Sequence, residues 1–184
     1  GWDDPRMPTL TGLRNRGIPA DALKDFCYRI GVCKANSEVQ ISYLEACVRE
    51  YLNINAERAM AVKKPIKLTI TNYPDGEVEE VDFEINPNEE VKRTRKVKFS
   101  RDLFIDADDF SLDPPPKYFR LKKDGYVRLK SGYIIKCDDV VMGDNGEVKE
   151  LLCSYVAESR SGNDTSGIKC KGVIQWVEAN TAKD

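Results

Sequence analysis

From Thr9 to Leu52 the apolar residues recur at helical spacing; from Ile66 onward they alternate as in strands. Thr9 is placed to cap a short helix that runs to Arg16 and stops at Gly17. Pro19 suits a first helical position, with Leu23, Phe26, Cys27 and Ile30 on one face and Gly31 as the stop. Ser37 and Gln40 have capping-box spacing for a third helix that carries Ile41, Leu44, Val48 and Leu52 inward. Short helices joined by tight turns predict a compact helical unit.

The second part reads strand, turn, strand. Tyr73-Pro74-Asp75-Gly76 sits between two alternating runs and predicts a hairpin. Asp144-Asn145-Gly146 predicts another, between 133–141 and 148–155. A polar loop over Glu158–Gly167 reads as mobile, and Val173 to Val177 returns as a strand. Pro114-Pro115-Pro116 marks a boundary or a stiff corner. Many short strands after a helical unit predict an α+β chain by segments, its β part made of one or two small antiparallel barrels.

Composition narrows the chemistry. The chain has 184 residues and no histidine, which removes Ser-His-Asp and Cys-His catalysis and most transition-metal sites. Its six cysteines contain no Cys-x-x-Cys pair, so reduced thiols and no zinc site are expected. There is no Gly-rich phosphate loop, no apolar run of membrane-spanning length and no secretory signal pattern, so a cytosolic protein that is not a complete catalyst is expected.

A formal net charge of −2 hides strong patterning. Lys92, Arg93, Arg95, Lys96, Lys98 and Arg101 form a run without an acid, and Lys117, Arg120, Lys122, Lys123, Arg128, Lys130 and Lys136 are opposed only by Asp124. Lys117-Tyr118-Phe119-Arg120 and Tyr126-Val127-Arg128-Leu129-Lys130 place cations beside rings, as single-stranded nucleic acid requires for stacking and backbone clamping. Arg120, Arg128 and Lys130 are expected to be exposed, the last two on one face. The competing reading makes Tyr118, Phe119 and Tyr126 partly core. Lys34, ahead of the third helix, could reinforce an anion at that helix's amides, although ordinary capping accounts for the same residues.

Several long stretches occur together and in order. They are Gly1-Trp2-Asp3-Asp4-Pro5-Arg6-Met7-Pro8-Thr9, Phe26-Cys27-Tyr28-Arg29-Ile30-Gly31-Val32, Leu52-Asn53, Arg58-Ala59-Met60-Ala61-Val62 and Ile70-Thr71-Asn72-Tyr73-Pro74. Phe99-Ser100-Arg101, Tyr118-Phe119-Arg120-Leu121, Val127-Arg128-Leu129 and Lys171-Gly172-Val173-Ile174-Gln175-Trp176-Val177 follow. In these the chain resembles the glutaminyl-tRNA synthetase family from end to end.

The resemblance implies part of a class I synthetase whose ATP- and amino-acid-binding Rossmann domain precedes this stretch. ATP and magnesium would belong to that parent enzyme, with no cofactor or metal in this portion, and the implied partner is tRNA(Gln). Residues 1–62 then correspond to a helical tRNA-contacting subdomain, 63–113 to a proximal anticodon-binding barrel left incomplete, and 114–184 to a distal barrel. Barrels of this kind also bind ribosomal RNA. Carried over by position, Asn53 and Arg58 frame the middle anticodon base, Arg120 the third, and Arg128 and Lys130 the first. Lys117, Asn88 and Lys34 fall at further tRNA contacts. Lys130 stands where arginine is expected, which replaces a bidentate fork by a point charge, and Glu57 stands where proline is common. A monomer is expected, and an incomplete first barrel implies an unpaired strand edge near Ile66–Thr71, open to pairing with another molecule or to fraying. The same region of a glutamyl-tRNA synthetase and a stand-alone RNA-binding module are the alternatives.

Overall fold

The structure is a computed structural model and describes residues 1–183. The chain divides into two compact units, Gly1–Arg58 with Asn86–Arg93, and Ala59–Ile85 with the chain from Thr94 onward.

The first unit holds α1 (Leu10–Asn15), α2 (Ala20–Ile30) and α3 (Ile41–Asn55). Thr9 caps α1 as expected, its hydroxyl accepting from the Gly12 amide at 2.9 Å, and Gly17 takes the left-handed conformation past the helix end. Pro19 lies one position earlier than expected, at the N-cap of α2. The N-cap of α3 is Gln40, with no side-chain hydrogen bond, so Ser37 does not close a capping box. A capping box needs its serine at the cap itself, and Ser37 lies three positions before it.

The apolar faces are narrower than expected. Ala22, Leu44 and Cys47 are buried, whereas Cys27, Ile30, Ile41 and Leu52 are exposed. A pair of helices covers only the facing stripe of each partner. That seam is held by the Phe26 and Tyr43 rings, 6.0 Å apart, and by Arg29, which reaches Glu50 at 2.7 Å and Asp25 at 2.8 Å.

Among the described residues the second unit holds eleven strands. These are β1 (Pro65–Ile70), β2 (Glu79–Glu84), β3 (Thr94–Phe99), β4 (Asp102–Asp106), β5 (Phe110–Ser111), β6 (Leu121–Lys122), β7 (Tyr126–Leu129), β8 (Ile134–Met142), β9 (Val148–Val156), β10 (Val173–Ile174) and β11 (Val177–Glu178). Seven form one sheet in the order β10-β7-β8-β9-β1-β4-β11; β2 pairs with β3, and β5 with β6. The fold is therefore a few helices followed by a largely β region, as the sequence implies. The seven-stranded sheet is mixed rather than antiparallel, because β1 runs parallel to β9 and β10 to β7, and the separate β5–β6 pair is parallel as well. Strands from both sides of Pro114–Pro116 enter the seven-stranded sheet.

Two expectations about strand pairing are corrected. The turn at Tyr73–Gly76 forms, with Gly76 at φ 74°, but β1 and β2 on either side of it do not pair. Instead β1 lies between β4 and β9, so the stretch Ile66–Thr71 is interior and the sheet's edges are the two-residue strands β10 and β11. A turn signal records that the chain reverses, while pairing is decided by which face each strand must bury. The hairpin at Asp144–Gly146 forms as expected between β8 and β9.

Phe99, fully buried, sits among Tyr73, Tyr133 and Trp176 at ring distances of 5.4, 5.3 and 5.2 Å. The Tyr73 and Tyr133 hydroxyls both donate to Glu79, at 3.1 and 3.0 Å. Burial, reinforced by Glu79, pushes the Tyr133 phenol up to about 12. The expected mobile loop is tied down. Ser159 is fully buried, accepting from the Ile134 amide at 2.7 Å and donating to the Val156 carbonyl at 2.6 Å, and Ser161 donates to the Gly132 carbonyl at 2.9 Å.

Candidate nucleic-acid interface

In the helical unit, the C-terminal end of α3 gathers Asn53, Arg58 and Asn88. A helix leaves its last carbonyls without partners, and here Asn86 satisfies them. Its fully buried amide donates to the carbonyls of Ile54 at 2.8 Å and Ala56 at 3.0 Å, and at the long distance of 3.4 Å to that of Asn53. Asn88 adds a 3.0 Å bond to the Asn53 carbonyl, and its own amide is held by the Asn86 side chain at 2.9 Å. Arg58 donates one nitrogen to the Asn53 side chain at 3.2 Å. Among the described residues its other guanidinium nitrogens have no hydrogen bond, which leaves donors for a planar or anionic ligand. Glu57 is engaged by Arg93 at 3.2 Å, and Arg93 also grips Glu89 at 2.6 Å. Three residues singled out from the sequence thus meet. Asn86, which organises them, was missed: Asn86-Pro87-Asn88 reads as a plain turn.

Lys34 stands apart. It is exposed, seven positions before the start of α3, so it does not lie at a helix N-terminus.

In the β unit, Lys117 to Arg120 form a loop directly before β6. Lys117 is exposed in the left-handed region at φ 66°, and Phe119 is exposed with the Lys171 ammonium 5.4 Å from its ring centroid. Gly172 explains how this loop is held: a Cβ there would stand 1.6 Å from the Phe119 carbonyl oxygen, so only glycine admits the approach. Arg120 is exposed and pairs with the buried Asp109 carboxylate. Tyr118 turns inward as the competing reading had it, and its hydroxyl is buried with no hydrogen-bond partner among the described residues. Burial, with Asp108 nearby, pushes its phenol above the ordinary tyrosine range and keeps it protonated. Tyr126 is exposed.

Arg128 and Lys130 alternate with buried Val127 and Leu129, so they share a face as expected, but both are half-buried rather than exposed. The loop after β9 covers that face. Arg128 donates to the Ser159 carbonyl at 2.7 Å and forms an ion pair with Asp164. The hydroxyl and amide of Ser166, and then Arg128, hold Asp164 below the usual carboxylate range. Lys130 places its ammonium 5.2 Å from the centroid of the Phe83 ring.

Residues 56–156 match the family described as tRNA synthetases class I (E and Q), anti-codon binding domain, and residues 1–54 match tRNA synthetases class I (E and Q), catalytic domain. The chain belongs to the class I tRNA synthetases of the E and Q type, and its β region is their anticodon-binding domain. Its relatives point further within that class. The chain is 52% identical over 183 residues to a glutamine–tRNA ligase of Rhodopirellula baltica, covering 100% of this chain and 30% of that protein. It is 48% identical to that of Bradyrhizobium diazoefficiens, covering 100% of this chain and 33% of that protein. For the glutamine–tRNA ligase of Clostridium perfringens the identity is 51%, covering 98% and 33%. The chain spans about a third of the length of the curated relatives it matches.

Proposed function

We propose that this chain binds tRNA(Gln) and reads its anticodon as part of a glutamine–tRNA ligase, the enzyme that attaches glutamine to its tRNA using ATP. The observation that carries this reading is the match of residues 56–156 to the anticodon-binding description, within end-to-end similarity to glutamine–tRNA ligases. The family description covers glutamate and glutamine enzymes alike, and the names of the relatives favour glutamine.

Within this reading Arg58, oriented by Asn53, contacts the middle anticodon base, and Arg120 the third. Arg128 and Lys130 act at the first base, with Lys117, Asn88 and Lys34 supporting the RNA backbone. Arg128 reaches RNA only by exchanging Asp164 for a base edge or phosphate, a swap of one charge-assisted pair for another. Residues 1–62 act as a helical tRNA-contacting subdomain, 63–113 as a partial proximal barrel and 114–184 as a distal one. The chain works as a monomer in the cytoplasm.

ATP and magnesium are assigned to the parent enzyme. Among the described residues there is no group of three Cys, Asp or Glu side chains placed to hold a metal, and the roles proposed for this chain's residues are contacts with RNA. The test is aminoacylation by the intact parent: it charges tRNA(Gln) with glutamine and not glutamate, and Arg58→Ala or Arg120→Ala lowers the rate ten-fold or more, since one good base contact contributes about 1–3 kcal/mol. Unchanged kinetics in both variants would remove the residue assignment, and charging with glutamate would move the protein to the sister activity.

A further inference from the structure

Three of the five half-buried cations of the β unit have an acid beside them among the described residues. Arg128 meets Asp164, Lys136 meets Asp124 and Asp138 at 3.6 Å, and Arg101 meets Asp75 at 3.9 Å. Two do not. Arg95 and Lys130 are half-buried, and among the described residues neither has a carboxylate within ion-pair distance. Both stand over the same ring, that of the buried Phe83, at 4.9 and 5.2 Å from its centroid.

The backbone builds this arrangement. Phe83 of β2 and Arg95 of β3 are direct cross-strand partners, which lays the guanidinium on the ring. Lys130 is fixed on both sides of its peptide: its amide donates to the Ile174 carbonyl at 3.0 Å, and its carbonyl accepts from the Trp176 indole at 2.9 Å. An aromatic face attracts cations, which offsets part of their desolvation. It does not neutralise two positive charges held around one side chain, and partly buried charges are screened less by salt than exposed ones. Such a pair is completed by an anion, and an arginine and a lysine held around one ring supply a planar fork and a point charge, donors from which a phosphate can accept.

We propose that Arg95, Phe83 and Lys130 form a cradle for one backbone phosphate of single-stranded RNA, with Arg95 a nucleic-acid-binding residue in addition to those named above. This rests on the proposed RNA-binding function, and the experiment separates the two. RNA binding by the 184-residue chain is measured by fluorescence anisotropy with the anticodon stem-loop of tRNA(Gln) over a range of salt concentrations. Arg95→Gln weakens binding without changing the preference among anticodons, and Lys130→Gln weakens it too. Each also makes the salt slope shallower by about 0.7 to 1, the signature of one lost phosphate contact. Lys149→Gln, which removes an exposed lysine, leaves the slope unchanged. Alongside, inorganic phosphate is titrated while the Phe83 ring signals are followed by NMR; saturable shifts are expected in the parent chain and not in the two variants.

RNA binding with an unchanged slope and no phosphate-dependent Phe83 shift overturns the cradle and leaves the function standing. Phosphate shifts with no RNA binding support the cradle as an anion site and overturn the function. Phosphate shifts together with an unchanged RNA slope assign the cradle to free anions and overturn its assignment to RNA. The titration of the parent chain decides the matter even where a variant fails to fold.

Discussion

Single residues carry more of the interface than their polarity suggests. Asn86 is fully buried and spends its amide on the end of α3, so Asn86→Ala strips the helix end of its partners. Unsatisfied buried groups cost about 1–3 kcal/mol, and the loss is expected as faster amide exchange over Asn86–Arg93 and a lower unfolding midpoint. Unchanged exchange there would mean that water replaces Asn86 at no cost. Gly172 makes a second case, because any side chain collides with the Phe119 carbonyl. Gly172→Ala is expected to displace Phe119 and Arg120 together and to weaken RNA binding several-fold; wild-type affinity in a folded variant would show that the loop does not need this approach. Neither residue's structural role was legible in the sequence. An asparagine in a turn and a glycine after a lysine are commonplace, and only the groups brought against them give them roles. Arg58, Asn53 and Asn88 were legible through the resemblance, and the structure brings them to one helix end.

At the scale of elements, local signals were read well and distant ones poorly. The cap at Thr9, the stop at Gly17 and the Asn-Gly turn of β8–β9 are settled within a few residues, and each occurs as expected. The neighbours of β1 lie far along the chain, at 102–106 and 150–153, and an alternating pattern does not say which strand will pair with it. Alternation also placed Arg128 and Lys130 on one face without revealing that the loop after β9 covers it. The interior position of β1 has a measurable consequence. The amides of Leu68 and Ile70 are expected to exchange among the slowest in the unit, whereas those of the edge strands β10 and β11 exchange quickly. Rapid exchange in β1 would restore the open edge expected from the sequence.

For the molecule as a whole, charge is distributed by pairing more than by net balance, and this sets its response to pH. Glu178 is buried, which pushes its carboxyl up, but hydrogen bonds from Thr181, Ser100 and Asn180 together outweigh this and hold it below its ordinary 4.5. Glu150 is lowered mainly by the Thr69 hydroxyl and further by Lys67, against the effect of burial, and Asp164 by Ser166 and Arg128. Groups whose folded values are depressed stabilise the fold fully above their unfolded values. That stabilisation is lost as pH falls through the lower folded values. The melting temperature of the chain is therefore expected to be flat from neutrality down to about pH 5, near the ordinary carboxylate range, and to decline below it. Glu178→Gln should show a shallower decline; a variant with an unchanged acid profile would exclude Glu178 as a contributor.

Anticodon reading by this chain, as proposed, has a direct test. It is the affinity of the 184-residue chain for the tRNA(Gln) anticodon stem-loop, set against the same RNA with its middle anticodon base replaced. Binding is expected to weaken steeply with salt and to favour the cognate base by about ten-fold or more, a preference reduced in Arg58→Ala. Salt-independent binding, or equal affinity for both RNAs at low salt, would contradict the proposal.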